Sequence, residues 1–198
     1  MKPRIGRQVK HFEEVNINSI KAIFSDDHIY RYTLQMKYNN RRLNNETMSV
    51  ILKNPSSANE KMADNTIRRV ESYVYKNFKN VKYLNILNIF SYRATDPKDV
   101  KLALNKYGLS YIVGPENDKY ILELLKESDY IIKAWGRNSG INKKYYDFRI
   151  NEVNNIINKI INNYNNIPVY RVNGNGRGSP YYPFHACFWG HNMELEKY

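Results

Sequence analysis

The stretch from Thr47 to Arg69, TMSVILKNPSSANEKMADNTIRR, constrains the fold of this chain more than any other. It opens with an apolar, partly β-branched run (Met48, Val50, Ile51, Leu52) that reads as a buried strand. Asn54-Pro55 ends the run, because proline has no N–H for a ladder and biases the preceding residue towards extended backbone. A polar loop from Ser56 to Ala63 follows. Asp64 or Asn65 then caps a helix whose apolar residues Ile67, Val70, Val74 and Phe78 fall at helical spacing. Strand, loop and helix in that order build α/β proteins, whose ligands bind outside the carboxyl ends of the strands. The strand ends are therefore where a site is sought.

Residues 1–18 read as a basic, loosely packed arm, with 19–198 as a single α/β domain. Two strand-like segments, Ile20–Phe24 and Ile29–Met36, are joined by the turn residues Ser25-Asp26-Asp27 and predict a hairpin. In the second, Tyr30, Tyr32, Leu34 and Met36 alternate with Arg31, Thr33 and Gln35. A second apolar strand, Val81 to Phe90, ends in the loop SYRATDP, and Pro97 suits the first position of a helix that Gly108 closes. Another helix starts at Pro115-Glu116-Asn117-Asp118. A third strand, Asp129 to Ala134, leads into Trp135-Gly136, and a long helix runs from about Lys144 to Tyr164. Pro168–Val172 is a last strand before a Gly-rich loop and an aromatic tail. The alternation predicts a three-layer α/β/α domain with a largely parallel central sheet, preceded by the hairpin.

Charge narrows the partner. Lys and Arg number 31 against 19 Asp and Glu, a net charge of +12 that attracts polyanions, with nucleic acid or nucleotide the first candidate. Arg41, Arg42, Arg137 and Arg177 lie near proposed loops and are the candidate phosphate contacts. No apolar run is long enough to span a bilayer, and the basic N-terminus has no apolar segment behind it, which argues against a secretory signal. The single cysteine, Cys187, rules out an internal disulfide and fits a reducing cytosol, so a cytoplasmic protein without a membrane partner is expected.

Four strand ends carry residues suited to a pocket: Asn54-Pro55-Ser56, Asn88 with Arg93-Ala94-Thr95, Trp135-Gly136, and Pro180-Tyr181-Tyr182-Pro183. An Asn side chain both donates and accepts, so it can hold a water or read a base edge. The loop GNGRGS lacks the spacing of a dinucleotide or P-loop and reads as a flexible turn. His185, Cys187 and His191 are too scattered to make a metal set, and neither metal nor cofactor is called for. Tyr181, Tyr182, Phe184, Phe188 and Trp189 fit base stacking and core closure equally well.

The pieces FSDDHIYRYTL, ILKNPSSANEKMADNTIRRV, NIFSYRATDPKDV, VGPENDKYI, AWG and GSPYYPF, in this order, resemble the domain of unknown function family 1643 from bacteria and phages. That resemblance covers roughly Phe24 to Phe184 and implies no activity. A more distant one does. The motif series is similar to the uracil-DNA glycosylase superfamily, whose three-layer α/β fold flips a base into a pocket. In its mismatch-specific branch a strand ends in an Asn-Pro pair whose Asn positions the attacking water, and Lys53-Asn54-Pro55-Ser56 resembles it. The resemblance further implies that Asn88 reads the base and that Trp135-Gly136 belongs to the site. The family's His-Pro loop, which stabilises the departing base, aligns with Tyr182-Pro183, so its imidazole is missing unless His185 supplies it. Asp64 is a candidate carboxylate for the same chemistry, and Pro55, Ser56, Arg93 and Thr95 are expected around the substrate. The competing expectations are a basic module that binds nucleic acid or nucleotide without turnover, and a phage- or defence-related interaction protein.

Overall fold

The computed structural model describes residues 7–41, 43, 45–163 and 167–198. Its strands are β1 (Gln8–Val9), β2 (Val15–Phe24), β3 (Arg31–Tyr38), β4 (Glu46–Leu52), β5 (Ala63–Asp64), β6 (Val81–Asn88), β7 (Tyr130–Lys133), β8 (Val169–Val172) and β9 (Leu195–Lys197). Its helices are α1 (Asn65–Asn77), α2 (Pro97–Tyr107), α3 (Leu109–Val113), α4 (Asn117–Lys126) and α5 (Lys143–Asn163), with a 3-10 turn at Ala186–Phe188.

Seven strands form one mixed sheet in the order β2-β3-β6-β4-β7-β8-β9. The four inner strands β6, β4, β7 and β8 are parallel to one another, while β2, β3 and β9 run antiparallel to their neighbours. The α/β character holds, but the expected largely parallel sheet is corrected to a parallel centre with antiparallel flanks. The reason is that the hairpin does not stand apart. Its second strand, β3, hydrogen-bonds along β6 (Leu34 opposite Ile86, Met36 opposite Leu84) and extends the sheet.

β4 has both faces covered, as its unbroken apolar run requires. Met48, Val50 and Leu52 pack with Ile67, Val70 and Val74 of α1 in one core. Ile51 belongs to a second core that holds Ile121 and Leu125 of α4 and Ile150, Val153 and Ile157 of α5. Helix ends follow the local chemistry of the sequence. The Asp64 carboxylate caps α1 by accepting from the Thr66 and Ile67 amides, Pro97 opens α2, and Gly108 closes it at φ 87°. Among the described residues no helix is long and apolar enough to cross a membrane.

The described part of the expected arm, residues 7–18, is packed rather than loose. β1 pairs with β5, Phe12 is buried, and β2 already begins at Val15. Glu71 of α1, fully buried, holds this segment down. It meets His11 Nδ1 at 2.5 Å and accepts from the Phe12 amide at 2.8 Å, while His11 Nε2 lies 2.9 Å from the Asn59 carbonyl. Burial raises the Glu71 carboxyl, against the pull of His11. For His11 burial acts downward, but the hydrogen bond and charge of Glu71 leave the imidazole above its ordinary value.

Candidate functional site

The chain leaves β4 through α1 to reach β6 on one side, then crosses back to β7 on the other. Connections that diverge in this way open a crevice at the carboxyl end of the sheet, between β4 and β7. A cavity of about 800 Å³ lies there. Its walls come from all four expected strand ends: Lys53, Asn54 and Ser56 after β4, Ala94 and Thr95 after β6, Gly136, Arg137 and Ser139 after β7, and residues 176–178, 182–185, 187 and 188 after β8. The first turn of α1, from Asp64 to Ile67, completes the rim.

Asn54 is fixed by one half of its amide. Nδ2 donates to the Ala94 carbonyl at 2.8 Å and to the Pro55 carbonyl at 3.2 Å, which leaves Oδ1 without a hydrogen-bond partner among the described residues. That oxygen can accept from a water or a ligand. Asp64 is similar: Oδ1 caps α1 at 2.9 Å from both amides, and no described residue bonds to Oδ2.

His185 is held as a neutral donor. Its Nδ1 accepts from the Cys187 amide at 3.2 Å, so the ring proton of the neutral form resides on Nε2. Burial, with the Lys53 charge adding to it, lowers the imidazole to about 4. Gly136 makes room for the ring: at φ 69° its missing Cβ would stand 2.8 Å from the His185 Cβ. In an NMR titration the His185 ring protons are therefore expected to stay unshifted from pH 8 to pH 5 and to move only near pH 4. A midpoint close to the free value of about 6.5 would show that the ring is solvated and charged.

Residues 31–184 match the family model described as "Protein of unknown function (DUF1643)". The chain belongs to this family. No curated protein and no solved structure gave a match. The DUF1643 span takes in most of the cavity wall and stops one residue short of His185.

The cavity of this DUF1643 member is strongly cationic. Arg7, Arg31, Lys53, Arg137 and Arg177 line it, against Asp64 as the one carboxylate among the described lining residues. Arg177 also stacks over Phe184 at 5.2 Å. Of the residues expected at the substrate, Asn54, Ser56, Asp64, Thr95, Gly136, Arg137, Arg177, Tyr182, Pro183 and His185 line the cavity. Tyr182 is committed elsewhere through its hydroxyl, which donates to Asp147. Pro55 sits behind the wall, where its carbonyl accepts from the Ala94 amide at 2.9 Å.

Asn88, Arg93 and Trp135, expected to share that cavity, do not line it. Asn88 is fully buried because the ladder continues past it: the Ile89 and Phe90 amides bond to the Leu52 and Lys53 carbonyls, both at 2.9 Å. Both polar atoms of its side chain lack a partner among the described residues. Trp135 is fully buried too and donates to the Tyr181 carbonyl at 3.2 Å. Arg93 instead lies over the Phe24 ring at 4.9 Å and donates to the His28 carbonyl at 3.0 Å. Arg41 is occupied at the far end of α1, where it bonds to the Tyr75 and Lys79 carbonyls. Arg42 lies outside the described residues.

Two wall residues escape the sequence reading. Arg31 is 1% exposed, donates to the Ala58 carbonyl at 2.8 Å and has no partner for Nε among the described residues. Burial lowers it to about 10, with Asp64 nearby favouring the charge. Lys53 is the other. No local pattern marks either one, since an Arg in an alternating strand and a Lys after a strand both ordinarily face water.

Proposed function

We propose that this cytoplasmic protein binds a nucleobase, as part of a nucleotide or nucleic-acid strand, in the cavity at the carboxyl ends of β4 and β7, and hydrolyses its N-glycosidic bond. The reading extends the resemblance to the uracil-DNA glycosylase superfamily and its α/β/α fold. The observation that carries it is the fixed Asn54 amide, with Oδ1 presented to a cationic cavity that also holds a neutral imidazole. In this reaction Oδ1 of Asn54 places a water against the anomeric carbon. The C–N bond breaks with its electron pair on the base, and His185 Nε2–H donates to that developing charge. The free oxygen of Asp64 takes the proton that the water gives up. Alkaline strand cleavage of oligonucleotides carrying uracil, mismatched or modified bases tests the chemistry.

A second reading, binding without turnover, draws support from Asn88, which is sealed in the sheet and so unable to read a base edge from the cavity. The two readings share one expectation. Binding to an oligonucleotide, followed by fluorescence polarisation, should weaken as salt rises, because neutralised phosphates release counterions. Arg137→Ala and Arg177→Ala should each reduce the salt slope for a single strand by about 0.7. No binding at low salt to either single- or double-stranded oligonucleotides would remove the polyanion altogether and leave a small nucleotide as the ligand.

A further inference from the structure

Lys53 directly precedes Asn54, is 7% exposed, and forms part of the cavity wall. Its Nζ donates to Ser139 Oγ at 2.8 Å and stands 5.7 Å from the centre of the Tyr146 ring. No described carboxylate pairs with it. Ser139 is an exposed residue of the turn after β7, with a left-handed backbone at φ 45°. The ammonium of an ordinary lysine would reach for water or an acid; this one is held inside by a hydroxyl. His185 and Cys187 are the titratable groups beside it, and Arg31 and Arg137 share the wall.

Desolvation lowers the amine to about 8, with Cys187 opposing. A usable fraction is then unprotonated and nucleophilic near neutral pH. Lys133 supplies an internal contrast. Burial lowers it to about 8 as well, and it too donates to a neutral side-chain oxygen, that of Asn154 at 2.9 Å, but it does not line the cavity.

A buried amine that faces a cavity without a carboxylate partner is the arrangement that condenses with carbonyl carbons. We propose that Lys53 is a covalent nucleophile that captures the aldehyde of a base-free 2-deoxyribose in this cavity. The inference rests on the base-release reading, whose product is that sugar. Nζ adds through its lone pair to C1′ of the ring-opened sugar, and one amine proton passes to the carbonyl oxygen. A proton from solvent then lets that oxygen leave as water, which gives a protonated imine. Water reverses the sequence and frees the lysine. No oxidant or reductant takes part.

Borohydride trapping of the full chain tests this in two arms, one with 2-deoxyribose 5-phosphate and one with a single-stranded oligonucleotide carrying an abasic site. Peptide mass spectrometry should map one reduced adduct per chain to Lys53 in both arms. Its rate should rise through pH about 8, where an ordinary lysine would need a pH above 10. Lys53→Arg should lose the adduct by about ten-fold or more, and Lys133→Arg should keep it. A Lys53 adduct with the sugar phosphate, together with no binding of any strand, keeps the nucleophile and overturns the strand reading. Adducts spread over surface lysines, or none on Lys53 in the sugar-phosphate arm, overturn the inference whatever the strand does. The mapping is made on the unaltered chain, so its outcome does not depend on whether the variants fold.

Discussion

Asn54→Ala is expected to lower base release by on the order of 100-fold or more while changing strand affinity by less than about two-fold. The asymmetry follows from what the side chain touches. Its Nδ2 is spent on the Ala94 and Pro55 carbonyls and its Oδ1 has no partner among the described residues, so on the base-release reading its loss falls on the attacking water rather than on phosphate contacts. The substitution also removes two structural hydrogen bonds, to the Ala94 and Pro55 carbonyls, each of which typically contributes about 1 kcal/mol, and the fold should survive it. Single-turnover cleavage and polarisation on the same oligonucleotide separate the two effects. Equal losses in rate and affinity would mean that Asn54 merely anchors the loop at Ala94. Tyr182→His should keep or raise activity, because it returns an imidazole to the wall where the glycosylase pattern has one.

The second large effect is on stability. Glu71→Ala should destabilise the protein by about 3–5 kcal/mol, the usual result of stripping one partner from a buried charged pair. His11 and the Phe12 amide would both lose their acceptor in the interior. For a chain of this size that is a fall in Tm of roughly 10 °C. Glu71→Gln should lose clearly less, since its carbonyl oxygen can still accept from Phe12. Urea denaturation measures both variants. A loss under about 1 kcal/mol for the alanine variant would show that the N-terminal segment is held by apolar packing alone.

What the sequence discloses here is what is encoded locally. Asp64, Pro97 and Gly108 mark helix ends because each acts on backbone groups within a few residues of itself, and the structure has them there. The four strand ends that build the cavity are legible for the same reason. Pairing direction is not, since nothing in RYTLQMKY states that it will lie antiparallel to β6 rather than form a separate ribbon. The burial of Arg31 is hidden as well. It alternates with tyrosines as a solvent-facing residue would, yet it is buried and donates to the Ala58 carbonyl of a loop distant in sequence. Asn88 misleads in the opposite sense. It is grouped with the strand-end residues although Ile89 and Phe90 continue the apolar run, and the two ladder bonds that these make seal it in the sheet.

The cavity walls hang from the carboxyl ends of four parallel strands, while the two cores are built mainly from the bodies of those strands and the helices behind them, with Phe184, Ala186 and Trp189 after β8 also packed into the first. Frame and lip can therefore change independently. A substitution at Arg137 or Arg177 alters what the opening admits, since both line it and neither belongs to a core, whereas a change at Val50 or Ile51 costs stability and leaves the opening's lining in place. Descendants of one ancestral chain can in this way diverge in ligand through a handful of loop positions.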